Sequence, residues 1–102
     1  MDDRIHLQIV TPAEIVVDQQ ARYVRLPLEG GSIGVLHGHA PLLGAVTAGV
    51  LKYSCGDRDF YAAVGDGVAH VTGEEVTVLV RSAACADSAD EARQAARQMK
   101  KK

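Results

Sequence analysis

The chain has 102 residues, 47% of them hydrophobic, and a formal net charge of −2, with a pI near 6.0; this is one domain's worth of chain with enough apolar material to bury a core. Thirteen Asp and Glu outnumber eleven Lys and Arg, so the clustered cationic excess that neutralises a phosphate backbone is missing and no nucleic-acid partner is expected. No apolar run reaches the ~18 residues that would span a bilayer, so membrane association is expected only through a partner.

From Ile5 to about Val80 the pattern has period two, broken at short intervals by turn residues, and this predicts a mainly β antiparallel sandwich of about eight to ten short strands. Ile5, Leu7 and Ile9 alternate with His6 and Gln8, and Thr11-Pro12 closes that first strand. Val24, Leu26 and Leu28 alternate with Tyr23, Arg25 and Pro27; the proline, which has no N–H for a ladder, predicts an edge or a strand end. Gly30-Gly31-Ser32 then forms a bend before a short apolar strand and the turn Gly38-His39-Ala40-Pro41. Gly56-Asp57 separates Val50–Cys55 from Arg58–Val64, which predicts a tight hairpin. Gly65-Asp66-Gly67 and Gly73-Glu74-Glu75 mark two further turns.

After Val80 the period changes. Ser88 followed by Glu91 has the capping-box spacing, and Ala89, Ala92, Ala95, Ala96 and Met99 recur at helical intervals. Asp90 and Glu91 at the start with Arg97 and Lys100 at the end suit the helix dipole. The expected organisation is a sandwich domain over 1–84 and a linker with one short C-terminal helix over 85–102. A helix of this length is marginal alone, so its alanine face must dock on the sandwich or on another chain. Residues 1–86 carry six Lys or Arg against ten Asp or Glu, and residues 87–102 five against three. The closing Lys100-Lys101-Lys102 is read as a solvated end, with contact to an anionic surface as the alternative.

Candidate chemistry is sparse. His37 and His39 form an H-x-H pair, which in a cupin-like barrel would hold a metal. A complete site needs a carboxylate a few residues on, whereas Ala40-Pro41-Leu42-Leu43-Gly44 offers none, and His70 alone is weak support. The structural alternative has His39 holding its turn through ring-nitrogen hydrogen bonds. Glu29–Gly34 lacks the Gly-Lys-Ser/Thr ending of a phosphate loop and leads into a strand, so it reads as an exposed bend whose glycines permit positive φ and close approach of another chain. No serine has a neighbouring base, and neither Cys55 nor Cys85 sits in a reactive context. The two cysteines form no C-x-x-C pair and Met1-Asp2-Asp3-Arg4 opens no signal-peptide pattern, so free thiols in a reducing compartment are expected. No catalytic, cofactor or metal residue is assigned. Four aromatic residues and no tryptophan argue against a carbohydrate or base-stacking surface, and Phe60 and Tyr61 read as cross-strand packing.

The stretch Glu29–Leu43, EGGSIGVLHGHAPLL, resembles the EG-x-x-G-[IV]-L-P-G-H-A-P-L pattern of the epsilon subunit of F-type ATP synthases. Glu29, Gly34, Val35, Leu36, Gly38, His39, Ala40, Pro41 and Leu42 fit it, with one extra residue in the Gly30-Gly31-Ser32 bend and His37 at the usual proline. Ile5–Glu14 resembles the family's opening strand, Ala48-Gly49-Val50-Leu51 its hairpin entry and Val76–Leu79 its last strand. The resemblance implies a non-catalytic rotor subunit of the central stalk, linking the gamma subunit to the ring of c subunits and coupling ion translocation to ATP synthesis. It implies a peripheral location at the cytoplasmic face of the cell membrane and no cofactor. By the same resemblance Gly30, Gly31 and Ser32 face the c ring, and Thr11 and His39 face gamma. Asp90 and Arg93 match part of an ATP-binding motif of some epsilon subunits, flanked here by the departures Ala89 and Gln94, and read otherwise as an i,i+3 surface pair. The family's second C-terminal helix is expected to be missing. The other readings of the same residues are a small metal-binding barrel and an unrelated adaptor sandwich.

Overall fold

A computed structural model of the chain describes residues 3–100, so Lys101 and Lys102 lie outside the described residues. Ten strands and one helix follow in order: β1 Ile5–Val10, β2 Ile15–Ala21, β3 Tyr23–Leu28, β4 Gly31–Val35, β5 Leu42–Val46, β6 Gly49–Cys55, β7 Arg58–Val64, β8 Gly67–Val71, β9 Glu75–Val80, β10 Ala83–Ala86 and α1 Ala89–Lys100. The strands form one continuous path, β10-β7-β6-β3-β5-β8-β9-β1-β2, with β4 paired to β3.

That path folds over between β6 and β5. β3 pairs β6 through Tyr23, Val24 and Arg25 and touches β5 only through Leu28 and Val46. Pro27 sits in the gap between these two pairings. Its missing N–H therefore breaks no ladder there, and its carbonyl accepts Thr47 N–H at 3.0 Å. The chain is thus bent into two layers, β10-β7-β6 with β3 and β5-β8-β9-β1-β2, and the core lies between them. Ile5, Leu7, Ile9, Val24, Leu26, Val35, Leu51, Val64, Val71, Val76 and Val78 are all fully buried. β2 also closes back toward β6: Cys55 Sγ–H donates to Gln20 O at 3.2 Å and Arg22 N–H to Ser54 O at 2.9 Å. Burial there pushes the Cys55 thiol pKa up.

Three local features go beyond the alternation. β1 and β9 pair parallel, joining two strands far apart in the chain inside an otherwise antiparallel sheet. β10 pairs with β7 over Ala83–Ala86, so the sheet runs on into Cys85 and Ala86, residues expected to begin the link to the helix. Four small residues show no hydrophobic period, and only the free edge of β7 makes a strand of them. The Gly56-Asp57 hairpin has a two-residue loop between Cys55 and Arg58, and φ is +63° at Gly56 alone, the sign pattern of a II′ turn. Tyr53 and Phe60, paired across this hairpin, stack with ring centroids 5.3 Å apart.

α1 opens on its cap. Glu91 N–H donates to Ser88 Oγ at 3.1 Å, and Glu91 Oε1 accepts Asp87 N–H at 2.7 Å, one residue further back than a standard capping box. The helix packs on β6, β7 and β10. Ala92 is fully buried and Ala96 is 6% exposed. Ala63 is also fully buried, yet it points away from the core on the phase opposite to Ala62 and Val64, and the docked helix accounts for its burial.

Candidate functional site

The two layers differ on their outer faces. The outer side of β6 and β7 is covered by α1. Among the described residues no element covers the outer side of β5-β8-β9-β1-β2, and it carries an apolar row. Ala45 pairs Val68, Val68 pairs Leu79, Leu79 pairs Val10 and Val10 pairs Ile15, and directly opposed residues share a face of the sheet. Ile15 is 56%, Val68 45% and Leu79 48% exposed. Five strands at ~4.8 Å spacing make this row about 19 Å wide.

Ile15 reaches the row by a backbone device. By alternation it would point inward with Val17, which is 5% exposed and in the core. The register shifts between Ile9 and Val10, so that Val17 pairs Ile9 while Ile15 pairs Val10 and Val16 is passed over. That bulge turns Ile15 outward.

The next rows are polar apart from Leu43, which is 73% exposed. Leu43, His70, Thr77, Gln8 and Asp18 follow one another across the same strands, then Glu75, His6 and Gln20. His6 Nε2 lies 2.6 Å from Asp18 Oδ1. That hydrogen bond, assisted by Gln8 Nε2 donating to Oδ2 at 3.5 Å, holds the Asp18 carboxyl below the usual carboxylate range against a smaller opposing effect of burial. A polar cleft of about 290 Å³ lined by Arg4, His6, Gln20, His37, Glu74 and Glu75 ends the face on this side. An open, apolar cleft of about 390 Å³ between Val10, Pro12, Leu79 and Val80 ends it on the other.

Thr11 lines that apolar cleft, and its hydroxyl is engaged within its own turn. Oγ1 accepts Ala13 N–H at 3.3 Å and Glu14 N–H at 3.2 Å and donates to Glu14 O at 3.2 Å. His39 lies at the opposite end of the layer. Gly38 N–H donates to Gly73 O at 2.8 Å just before β9 begins, whereas Thr11 follows Val10 beside Leu79. The four residue steps from Glu75 to Leu79 separate the two by about 13 Å along the strands, so the structure does not bring Thr11 and His39 together. His39 Nδ1–H donates to Ala40 O at 2.7 Å and its N–H to Leu36 O at 3.0 Å, which ties down the turn as the structural reading expects.

Gly30, Gly31 and Ser32 are exposed at the β3–β4 tip. Glu29 N–H donates to Ala45 O at 2.9 Å, setting the tip on the side of β5 away from β8. φ is +93° at Gly30 and +135° at Gly31, and a Cβ on either would meet nothing within 4 Å. Backbone shape rather than space therefore requires glycine at both. Asp90 and Arg93 pair with each other on the exposed side of α1, with side chains 86% and 58% accessible. Among the described residues no group of three or more His, Cys, Asp or Glu is placed to hold a metal ion, and no helix is long and apolar enough to cross a membrane.

The apolar row escaped the sequence reading, although the sequence carried a signal for it. Val78-Leu79-Val80 and Val68-Ala69 put apolar residues on the outward phase of strands that otherwise alternate. Ile15 carried no such signal, because its direction depends on the bulge.

The β-sandwich domain of the ATP synthase delta/epsilon chain matches residues 4–86. The ATP synthase epsilon chain of Lawsonia intracellularis is 37% identical over 102 residues, covering 99% of this chain and 77% of that protein. The ATP synthase epsilon chain of Nitratidesulfovibrio vulgaris strain DP4 is 39% identical over 90 residues, covering 88% and 67%. In fold, the chain is similar to one in the Euglena gracilis mitochondrial ATP synthase OSCP/F1/c-ring structure, with TM-score 0.77 at 20% identity over 83% of this chain and 55% of that one. It is also similar to one in the Tetrahymena thermophila mitochondrial ATP synthase central stalk/c-ring structure, with TM-score 0.65 at 13% identity over 78% and 65%. A two-layer sandwich bearing a glycine tip and a Gly-His-Ala-Pro turn, matched over most of its length in sequence, belongs to the ATP synthase delta/epsilon chain family.

Proposed function

We propose that this chain is a non-catalytic rotor subunit of the central stalk of an F-type ATP synthase, held between the gamma subunit and the ring of c subunits and coupling ion translocation to ATP synthesis. The observation that carries the reading is the apolar row from Ala45 to Ile15 on a sheet face that α1 leaves uncovered. A surface of this kind is desolvated by a partner, and gamma is the partner the family offers. Thr11 lies at the edge of this face, at the apolar cleft, and reaches gamma through that cleft's rim. His39 acts at the other end, where it fixes the turn beside the polar cleft.

The Gly30-Gly31-Ser32 tip faces the c ring. Its open backbone lets a second chain approach closely, and Ser32 presents a neutral side chain there. A close-packed sandwich suits the role, since a block that transmits torque must resist shear and tightly packed interiors have low compressibility. Membrane association comes through the complex, at the cytoplasmic face of the cell membrane.

Affinity purification of the tagged chain from detergent-solubilised membranes tests this. Gamma and c subunits are expected in the eluate, with release of both when Val68 and Leu79 are changed together to Gln. Recovery of the wild-type chain without either subunit would contradict the reading.

A further inference from the structure

The two charged groups at the rim of the apolar cleft are engaged differently. Asp66 Oδ1 accepts Ala48 N–H at 3.3 Å. Arg81 uses its backbone N–H on Asp66 O at 3.0 Å, while its guanidinium has no hydrogen-bond or ion-pair partner among the described residues. The cleft therefore has apolar walls from Val10, Pro12, Leu79 and Val80 and one available cation at its mouth. It also continues the apolar row, because Val10 and Leu79 belong to both.

We propose that this cleft is the anchor point of the gamma contact: it takes one apolar side chain of gamma, and a carboxylate flanking that side chain pairs with Arg81. The inference rests on the rotor reading above. Binding energy at protein interfaces concentrates where an apolar anchor fills a desolvated pocket, and the cleft is a depression at the end of the row. Arg81 supplies a planar donor fork that fits a carboxylate with two parallel hydrogen bonds. The roles of the two groups are then separable. The apolar walls hold the complex together, while a rim charge mainly speeds encounter and is screened by salt.

The test follows the binding kinetics of the full chain to the purified gamma subunit of the same ATP synthase. Leu79→Gln is expected to speed dissociation roughly tenfold, the change that ~1.4 kcal/mol produces. Arg81→Gln is expected to slow association about 3- to 10-fold at low salt, with the difference vanishing near ~0.5 M salt, and Arg81→Glu to slow it further. Leu79→Thr, which introduces a β-branched strand former, stands in if Leu79→Gln fails to fold. Wild-type kinetics in the Leu79 and Arg81 variants, with the wild-type chain binding gamma, would overturn the anchor while leaving the rotor reading intact. No binding by the wild-type chain would overturn the rotor reading itself, and the anchor with it.

Discussion

Thr11 and Thr72 build the same four-residue turn at opposite ends of the molecule. In each, the threonine N–H donates to the carbonyl three residues on, at 2.9 Å to Glu14 and 2.8 Å to Glu75, and the hydroxyl accepts the N–H groups of the second and third following residues. A short polar side chain that hydrogen-bonds its own backbone is what makes such a turn. Thr11-Pro12 and Gly73-Glu74-Glu75 announce the two turns in the sequence, while the part Thr72 plays in the second shows only in the structure. Gly67 shows the limit of reading glycines as turns. It stands where a Cβ would lie 1.9 Å from Leu79 O and 2.7 Å from Val80 Cα, so the backbone of β9 leaves no room for a side chain. Gly67→Ala is expected to cost about 3 kcal/mol or more, beyond ordinary overpacking because the obstacle is main chain. Chemical denaturation checks this, and a midpoint within error of wild type would refute it. Gly30 and Gly31, with open space around them, are expected to tolerate alanine far better, limited only by the ~1–3 kcal/mol of a strained φ.

Strands that alternate cleanly were legible as elements. β1, with Ile5, Leu7 and Ile9 inward, and the β6–β7 hairpin around Gly56-Asp57 follow directly from period and turn chemistry. β10 was not legible, because alanines carry no period and the free edge of β7 decides their conformation. The parallel pairing of β1 with β9 was equally out of reach, since side-chain alternation is the same for either direction. α1 announced itself by Ser88, Glu91 and its alanine spacing, but not the surface it docks on. That surface is small: Ala92, Ala96 and Ala63 bury methyl groups rather than long side chains. Ending the chain after Ala86, which keeps β10 whole, is therefore expected to leave one cooperative thermal transition lowered by about 1–2 kcal/mol, at ~0.8 kcal/mol per buried methyl-sized group. Calorimetry reads this directly, and a broad or absent transition would show that the helix completes the core.

At the scale of the whole molecule the sandwich is lopsided. Its own helix covers one outer face, and the other displays a row of apolar residues flanked by histidines and carboxylates. The position of that face came from three structural facts: the fold-over at Pro27, the bulge at Val16 and the outward phase of Val68 and Leu79. The resemblance assigned Thr11 and His39 alike to the gamma contact, and they lie at opposite ends of this layer. Each holds a turn at a strand end, Thr11 through its hydroxyl and His39 through its ring. The β3–β4 tip was located correctly as an exposed bend, since Gly30 and Gly31 need their positive φ whatever they face.

The central claim is that gamma covers the β5-β8-β9-β1-β2 face and leaves the α1 face free. Side-chain oxidative footprinting of the chain, alone and bound to gamma, tests it most directly. The account predicts strong protection of Ile15, Val68 and Leu79 on binding, with Met99 and Tyr61 on the helix side labelled as in the free chain. Protection of Met99 and Tyr61, with Ile15, Val68 and Leu79 unchanged, would contradict it.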